Sequence, residues 1–118
     1  MKRTVLITGA SGNLGGAVVR KFREKGFRIA ALDSPKSAGK TEESGNIRSF
    51  PVDLMDEIGV EKAVEEVYAA FGKIEMAVLT VGGFAMGGIS ETGLKDFDKM
   101  YRLNFIATYT IARQLFLR

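Results

Sequence analysis

The sequence predicts an α/β fold, a doubly wound, mostly parallel sheet of about four strands flanked by helices and built as one domain over residues 1–118. Three observations predict it. Apolar runs of strand length alternate with stretches of helical periodicity, the pattern of successive βαβ units. The glycine-rich stretch TGASGNLG, Thr8 to Gly15, stands directly between the first apolar run and the first helical stretch. The second apolar run ends on a carboxylate, Asp33, 18 residues beyond Gly15.

The first strand is expected at Thr4–Thr8, whose apolar run suits a strand buried on both faces. Leu14, Val18 and Phe22 then recur at i, i+4 and i+8 with charges between them, so a helix follows and stops at Gly26. A second strand is expected over 27–32. Residues 34–46, rich in Ser, Gly, Lys and Glu, read as a surface loop before a short strand at 47–52. Val60, Ala63, Val64, Val67 and Phe71 form one stripe of a helix ended by Gly72, and residues 76–81 form the fourth strand. The stretch GGFAMGG implies either a close approach to the backbone or a mobile loop. From Leu94 one long helix is expected to the last residue, with Phe97, Tyr101, Phe105, Thr108, Ala112 and Leu115 on its apolar side. No repeat and no linker interrupts the chain.

Composition narrows the chemistry. A chain of 118 residues, 46% of them hydrophobic, buries one core and leaves no room for a second domain. It has no apolar run of about 18 residues and no charged-then-apolar leader, so neither a membrane span nor a signal peptide is expected and the protein is placed in the cytoplasm. With no Cys and no His, disulfides, thiolate chemistry, the commonest metal ligand and the usual neutral-pH base are all missing, and no metal site is expected. Residues 1–40 carry nine Lys or Arg against two acids, and the remainder eight against twelve. That basic first third lacks aromatic interleaving and any nucleic-acid motif, so Arg20, Lys21, Arg23 and Lys25 read as a solvated helix face.

A strand, a glycine turn and a helix in immediate succession set free amides and the positive helix end at the turn, which suits a phosphate. In that reading Gly9 permits the tight turn, Gly12 admits a pyrophosphate to the backbone and Gly15 lets the helix lie close on the strand, with Ser11, Asn13 and Leu14 beside them. The bland alternative is a loop that carries glycine for steric reasons alone. Asp33 then either accepts from a ribose 2′-hydroxyl or merely forms the turn ahead of Ser34-Pro35. The first role predicts NAD over NADP, because a carboxylate repels a 2′-phosphate, although Lys36 and Lys40 nearby soften that preference and leave NADP as the alternative cofactor. SPKSAGKT ends in Gly-Lys-Thr like a nucleoside-triphosphate loop, but Ser34 replaces its first glycine and the following EESGNIRS cannot open an apolar helix.

From Thr4 to the last residue the chain resembles the short-chain dehydrogenase/reductase family, with its Rossmann-like sheet. TGASGNLG, Asp33, the segment VDLMD and YRLNFIA carry the resemblance. It implies that Asp53 and the Leu54 backbone hold the adenine, against the plainer role of Asp53 as a helix N-cap. Thr80-Val81-Gly82-Gly83 stands where the family usually has Asn-Asn-Ala-Gly, so the amides that tie this strand to its neighbours are missing, while Gly82 and Gly83 suit a backbone that approaches the cofactor. Asn104 matches the family's active-site asparagine, whose carbonyl binds a water of the proton relay and whose position kinks the helix; otherwise it is an ordinary core Asn among Tyr101, Phe105 and Thr108. The spacing Gly-x-x-Gly-x-x-Gly is similar to the family's extended or atypical branches, and the later segments are closer to its short branch.

The family's reaction moves a hydride between nicotinamide and a carbonyl or alcohol carbon, with a tyrosine as acid or base and a lysine four residues later. No tyrosine of this chain, Tyr68, Tyr101 or Tyr109, has that lysine. Strands of such a sheet are ordered 3-2-1-4-5-6, so these residues are expected to supply the 3-2-1-4 portion, incomplete at the C-terminus. The resemblance therefore implies the cofactor-binding front part of an NAD(P)-dependent oxidoreductase acting on a small-molecule carbonyl or alcohol. The alternative is a catalytically inactive dinucleotide-binding or regulatory module. An apolar edge at the fourth strand leads to the expectation of a homo-oligomer, and neither nucleic acid nor a membrane is expected as a partner.

Overall fold

A computed structural model describes residues 2–37, 39–82 and 87–118. Four parallel strands, β1 (Thr4–Thr8), β2 (Arg28–Asp33), β3 (Ile47–Pro51) and β4 (Met76–Leu79), form one sheet in the order β3-β2-β1-β4. The expected 3-2-1-4 arrangement is therefore the observed one. β1 lies centrally, with Val5 opposite both Ile29 and Met76.

Each face of this sheet meets a helix, which explains why β1 and β2 read as unbroken apolar runs. Val5, Ile7, Ile29, Ala31 and Ile47 point to one side and pack with Val19 of α1 (Asn13–Glu24). Leu6, Ala30, Leu32 and Phe50 point to the other, where α2 (Glu57–Phe71) lays down Val60, Ala63, Val64, Val67 and Phe71. Ile111 joins this second cluster from the last helical run. Among the described residues no helix is long and apolar enough to cross a membrane.

Several boundaries differ from expectation, each because a backbone group is used elsewhere. Phe27 caps α1 instead of opening β2: its N–H donates to the Phe22 carbonyl, and the Gly26 N–H, at φ 82°, donates to Arg23. This pair of bonds closes the helix in the left-handed cap that glycine favours, and the Phe22 and Phe27 rings meet edge-to-face at 4.9 Å across it. β2 runs on to Asp33, whose carbonyl accepts from Val52 just past the end of β3. β4 ends at Leu79 because the Thr80 N–H turns to the side chain of Thr8. Within the loop over 34–46, Pro35–Ser37 forms one 3-10 turn.

The last helical run corrects a larger expectation. It consists of α3 (Leu94–Tyr101), a π-helical segment (Arg102–Ile106) and α4 (Ala107–Phe116). The wider π turn shifts the 3.6-residue period for the residues that follow it, while α3, which precedes it, buries none of its residues. Phe97, Tyr101 and Phe105 are exposed, as is Ala112, while Ala107, Ile111 and Gln114 are the buried side of α4. Tyr101, Phe105 and Tyr109 stack on one another along the outer surface, with ring centroids 5.4 and 6.0 Å apart.

Candidate functional site

The β1–α1 turn is built by close contacts that only glycine allows. Gly9 adopts φ 67°, and a Cβ there would stand 2.6 Å from Thr80 Oγ1. A Cβ on Gly15 would run into the carbonyl oxygen of Gly9, so α1 lies directly on the end of β1. Gly12 is the exposed N-cap of α1 and brings no side-chain cap. The first amides of a helix have no intrahelical acceptor, so those of Asn13, Leu14 and Gly15 leave the positive end of α1 turned to the space above the sheet.

That space is a cavity of about 430 Å³ at the C-terminal ends of β1, β2 and β4. Gly9, Ser11, Gly12, Asn13, Leu14 and Gly15 line it from the turn, Asp33 from β2, Asp53 and Leu54 from the segment after β3, and Gly82 from the segment after β4. Gly83 lies outside the described residues, as does most of the GGFAMGG stretch. The cavity also has walls that sequence reasoning did not single out, among them Leu32, Ser37, Val52, Met55, Thr80 and Leu103. Val52 and Thr80 directly follow strands of the sheet, the one available signal; Leu103 carries none, because it enters from the π segment.

Asp33 is buried, with 7% of its surface exposed. Its Oδ1 accepts from the Ser11 N–H at 3.1 Å and the Ser11 hydroxyl at 3.0 Å, and its Oδ2 accepts from the Thr41 hydroxyl at 3.2 Å. The carboxylate thus ties β2 to the glycine turn and not to its own Ser34-Pro35 turn. Asp53 is exposed, and its Oδ1 accepts from the Met55 N–H at 2.9 Å. The N-cap position of α2 belongs to Asp56, so the helix-cap alternative for Asp53 does not hold.

Thr80 replaces the amides whose loss the sequence implied. Its hydroxyl donates to the Thr8 carbonyl at 2.6 Å and its N–H donates to Thr8 Oγ1 at 3.1 Å, so two threonines join β4 to β1 beside the cavity. Asn104 departs from the expectation of a core position: it is exposed, in the π segment, and its Nδ2 donates to the Met100 carbonyl at 2.9 Å. Its Oδ1 lies 2.6 Å from where a Cβ on Gly82 would stand, so the absence of a side chain at Gly82 admits it to the rim. Asn104 does not line the cavity; its neighbour Leu103 does. On the other side of the turn, Arg20, Arg23 and Lys40 border a second cavity of about 490 Å³.

The profile of the short chain dehydrogenase family matches residues 3–117. The D-threitol dehydrogenase of Mycolicibacterium smegmatis is 28% identical over 117 residues, covering 94% of this chain and 45% of that protein. Among solved structures, a variant of ElxO with NADPH bound superposes with a TM-score of 0.87 at 25% identity, over 97% of this chain and 49% of that one. The 3-ketoacyl-(acyl-carrier-protein) reductase of Brucella melitensis complexed with NADH gives a TM-score of 0.86 at 24% identity, over 96% and 48% of the two chains. The chain spans less than half the length of these three proteins.

Proposed function

The chain belongs to the short-chain dehydrogenase family, and we propose that it is the dinucleotide-holding part of an oxidoreductase that moves a hydride between a nicotinamide cofactor and a small-molecule carbonyl or alcohol. One observation carries the proposal: every described residue assigned to the cofactor from the sequence lines one cavity at the C-terminal ends of the strands, where sheets of this kind bind their ligands. The residues fit such a group. The cavity has the size of a small-molecule site, its turn has no side chains at Gly9, Gly12 and Gly15, and both the N-terminal end of α1 and Asp33 line it. Dehydrogenases among its relatives, and nicotinamide dinucleotides in two of its structural neighbours, favour an enzyme over an inactive sensing module.

In this reading the amides of α1 and the bare backbone at Gly12 hold the pyrophosphate. Asp33 accepts from the adenosine ribose, Asp53 and the Leu54 backbone bind the adenine, and the Gly82 backbone approaches the nicotinamide half. The bound nicotinamide supplies or accepts the hydride. Asn104, at the rim beside Gly82, holds a water through its carbonyl for the proton relay.

Asp33 makes NAD(H) the preferred cofactor, since a 2′-phosphate would meet a buried carboxylate. Calorimetric titration with NAD and NADP should show tighter NAD binding, and Asp33→Asn should narrow the difference while keeping an oxygen for Ser11. Equal or tighter NADP binding by the wild type would overturn the role given to Asp33.

A further inference from the structure

The carboxylate proposed to receive the ribose already has partners, and they are not equivalent. Ser11, which bonds Oδ1 twice, belongs to the glycine turn, where the Gly9 N–H donates to the Leu32 carbonyl at 2.9 Å and the Gly12 N–H to the Gly9 carbonyl at 3.0 Å. Those bonds are part of the scaffold. Thr41, which bonds Oδ2, belongs to a surface stretch, residues 39–43, whose other bonds are long, Lys40 N–H to the Ser37 carbonyl at 3.2 Å and Ser49 N–H to Glu43 Oε2 at 3.3 Å. Ser44 and Asn46 beyond it are anchored, the Ser44 N–H donating to the Ile47 carbonyl at 2.9 Å and the Asn46 carbonyl accepting from the Ile29 N–H at 2.7 Å. Thr41 is half-buried and Lys40 and Glu42 on either side of it are exposed. Of the donors on Asp33, the Thr41 hydroxyl is the one the fold can release.

A threonine hydroxyl and a ribose hydroxyl are the same kind of donor to a carboxylate, and leaving a buried carboxylate oxygen without a donor is costly. We infer that Thr41 is a specificity-determining residue, holding Oδ2 of Asp33 when no dinucleotide is bound and yielding it to a ribose 2′-hydroxyl. One O–H donor is exchanged for another, Asp33 stays satisfied, and residues 39–43 are released. A 2′-phosphate is largely a dianion near neutral pH and brings acceptor oxygens in place of a hydroxyl, so it cannot make this exchange. Thr41 therefore competes with NAD and is indifferent to NADP. The inference rests on the reading of Asp33 as the ribose acceptor.

The test titrates NAD and NADP into the wild type, Thr41→Val and Thr41→Ser, with circular dichroism to establish folding. Removing the competing hydroxyl should tighten NAD binding by about 10-fold to 100-fold, the equivalent of one hydrogen bond to a charged group, and leave NADP binding unchanged. Thr41→Ser should behave as the wild type. Trypsin supplies a readout independent of affinity: without nucleotide, cleavage after Lys40 should be faster in Thr41→Val than in the other two, and NAD should speed wild-type cleavage toward that of the variant. Equal or weaker NAD binding by Thr41→Val, or cleavage after Lys40 that ignores the substitution, overturns the exchange. Asp33→Asn separates the two readings: if it leaves NAD and NADP discriminated as before, the ribose reading fails, and if it erases discrimination while Thr41→Val matches the wild type, only the exchange fails.

Discussion

Gly12 and Gly15 are the same residue one helical turn apart, yet the structure gives them opposite sensitivities. A Cβ on Gly15 meets the Gly9 carbonyl and lies 3.0 Å from Ala10 Cα, backbone atoms that cannot rotate away. On Gly12 the nearest atom is Gly9 O at 3.3 Å, and the residue is exposed at φ −77°, where any side chain fits the backbone. Gly15→Ala should therefore cost about 1–3 kcal/mol by overpacking and lower the melting temperature by several degrees. Gly12→Val should melt close to the wild type but lose dinucleotide affinity by more than about tenfold, as a branched side chain takes the space needed by the pyrophosphate. Thermal melts followed by nucleotide titration check both, and unchanged affinity in a folded Gly12→Val would reduce the turn to a structural loop. The sequence exposed these glycines because turn, strand and helix are contiguous in it. It hid the partners of Asp33, because Ser11 and Thr41 reach that carboxylate from turns 22 and 8 residues away and no spacing rule connects them.

Among elements, the strands and α2 were legible because their periods are unbroken: β1 is buried throughout and the α2 stripe recurs every three or four residues. The last helix was not. A π segment has no glycine or proline to announce it here, only the kink that the resemblance attaches to Asn104, and once it widens one turn, a face counted at 3.6 residues leads to the wrong side chains, Phe105 in place of Ala107 and Ile111. The junction of β4 with β1 was hidden for a different reason, since threonine in a strand reads as a strand former and not as a bridge. Thr80→Val removes the donor to the Thr8 carbonyl but keeps the Thr80 N–H bond to Thr8 Oγ1. It should destabilise the protein by about 1–3 kcal/mol, the cost of leaving a buried or half-buried polar group unpaired. Thr8→Val strands the Thr80 N–H instead and leaves the hydroxyl bond in place, so the two single variants break different bonds and the double variant should cost about their sum. Urea unfolding of the four proteins measures this, and a double variant that departs clearly from the sum would show that the two bonds are coupled.

At the scale of the whole molecule, the parallel order β3-β2-β1-β4 followed from the alternation of strands and helices, because few topologies satisfy short crossovers on a parallel sheet. Among the described residues the same order leaves β4 paired only with β1, with Met76 41% exposed. Nearby in the chain, the stacked row of Tyr101, Phe105 and Tyr109 faces outward. An unpaired strand edge and an aromatic row are both surfaces that associate in water. The tyrosines tell the same story from the side of chemistry: Tyr68 lies on α2 beneath the Arg118 guanidinium, 5.8 Å away, and neither it nor Tyr101 nor Tyr109 lines the cavity. Proton transfer in catalysis needs an acid or base within hydrogen-bond reach of the reacting group and contributes about 100-fold to 10,000-fold. The 118-residue polypeptide on its own should thus bind a nicotinamide dinucleotide, show no dehydrogenase or reductase turnover, and scatter light as a species larger than a monomer. Nicotinamide absorbance against a panel of aldehydes, ketones and alcohols, with light scattering on the same sample, checks both halves. A clean monomer would show that the β4 edge and the aromatic row do not drive association, and turnover abolished by Gly12→Val would move the acid–base role to a tyrosine of the outer row.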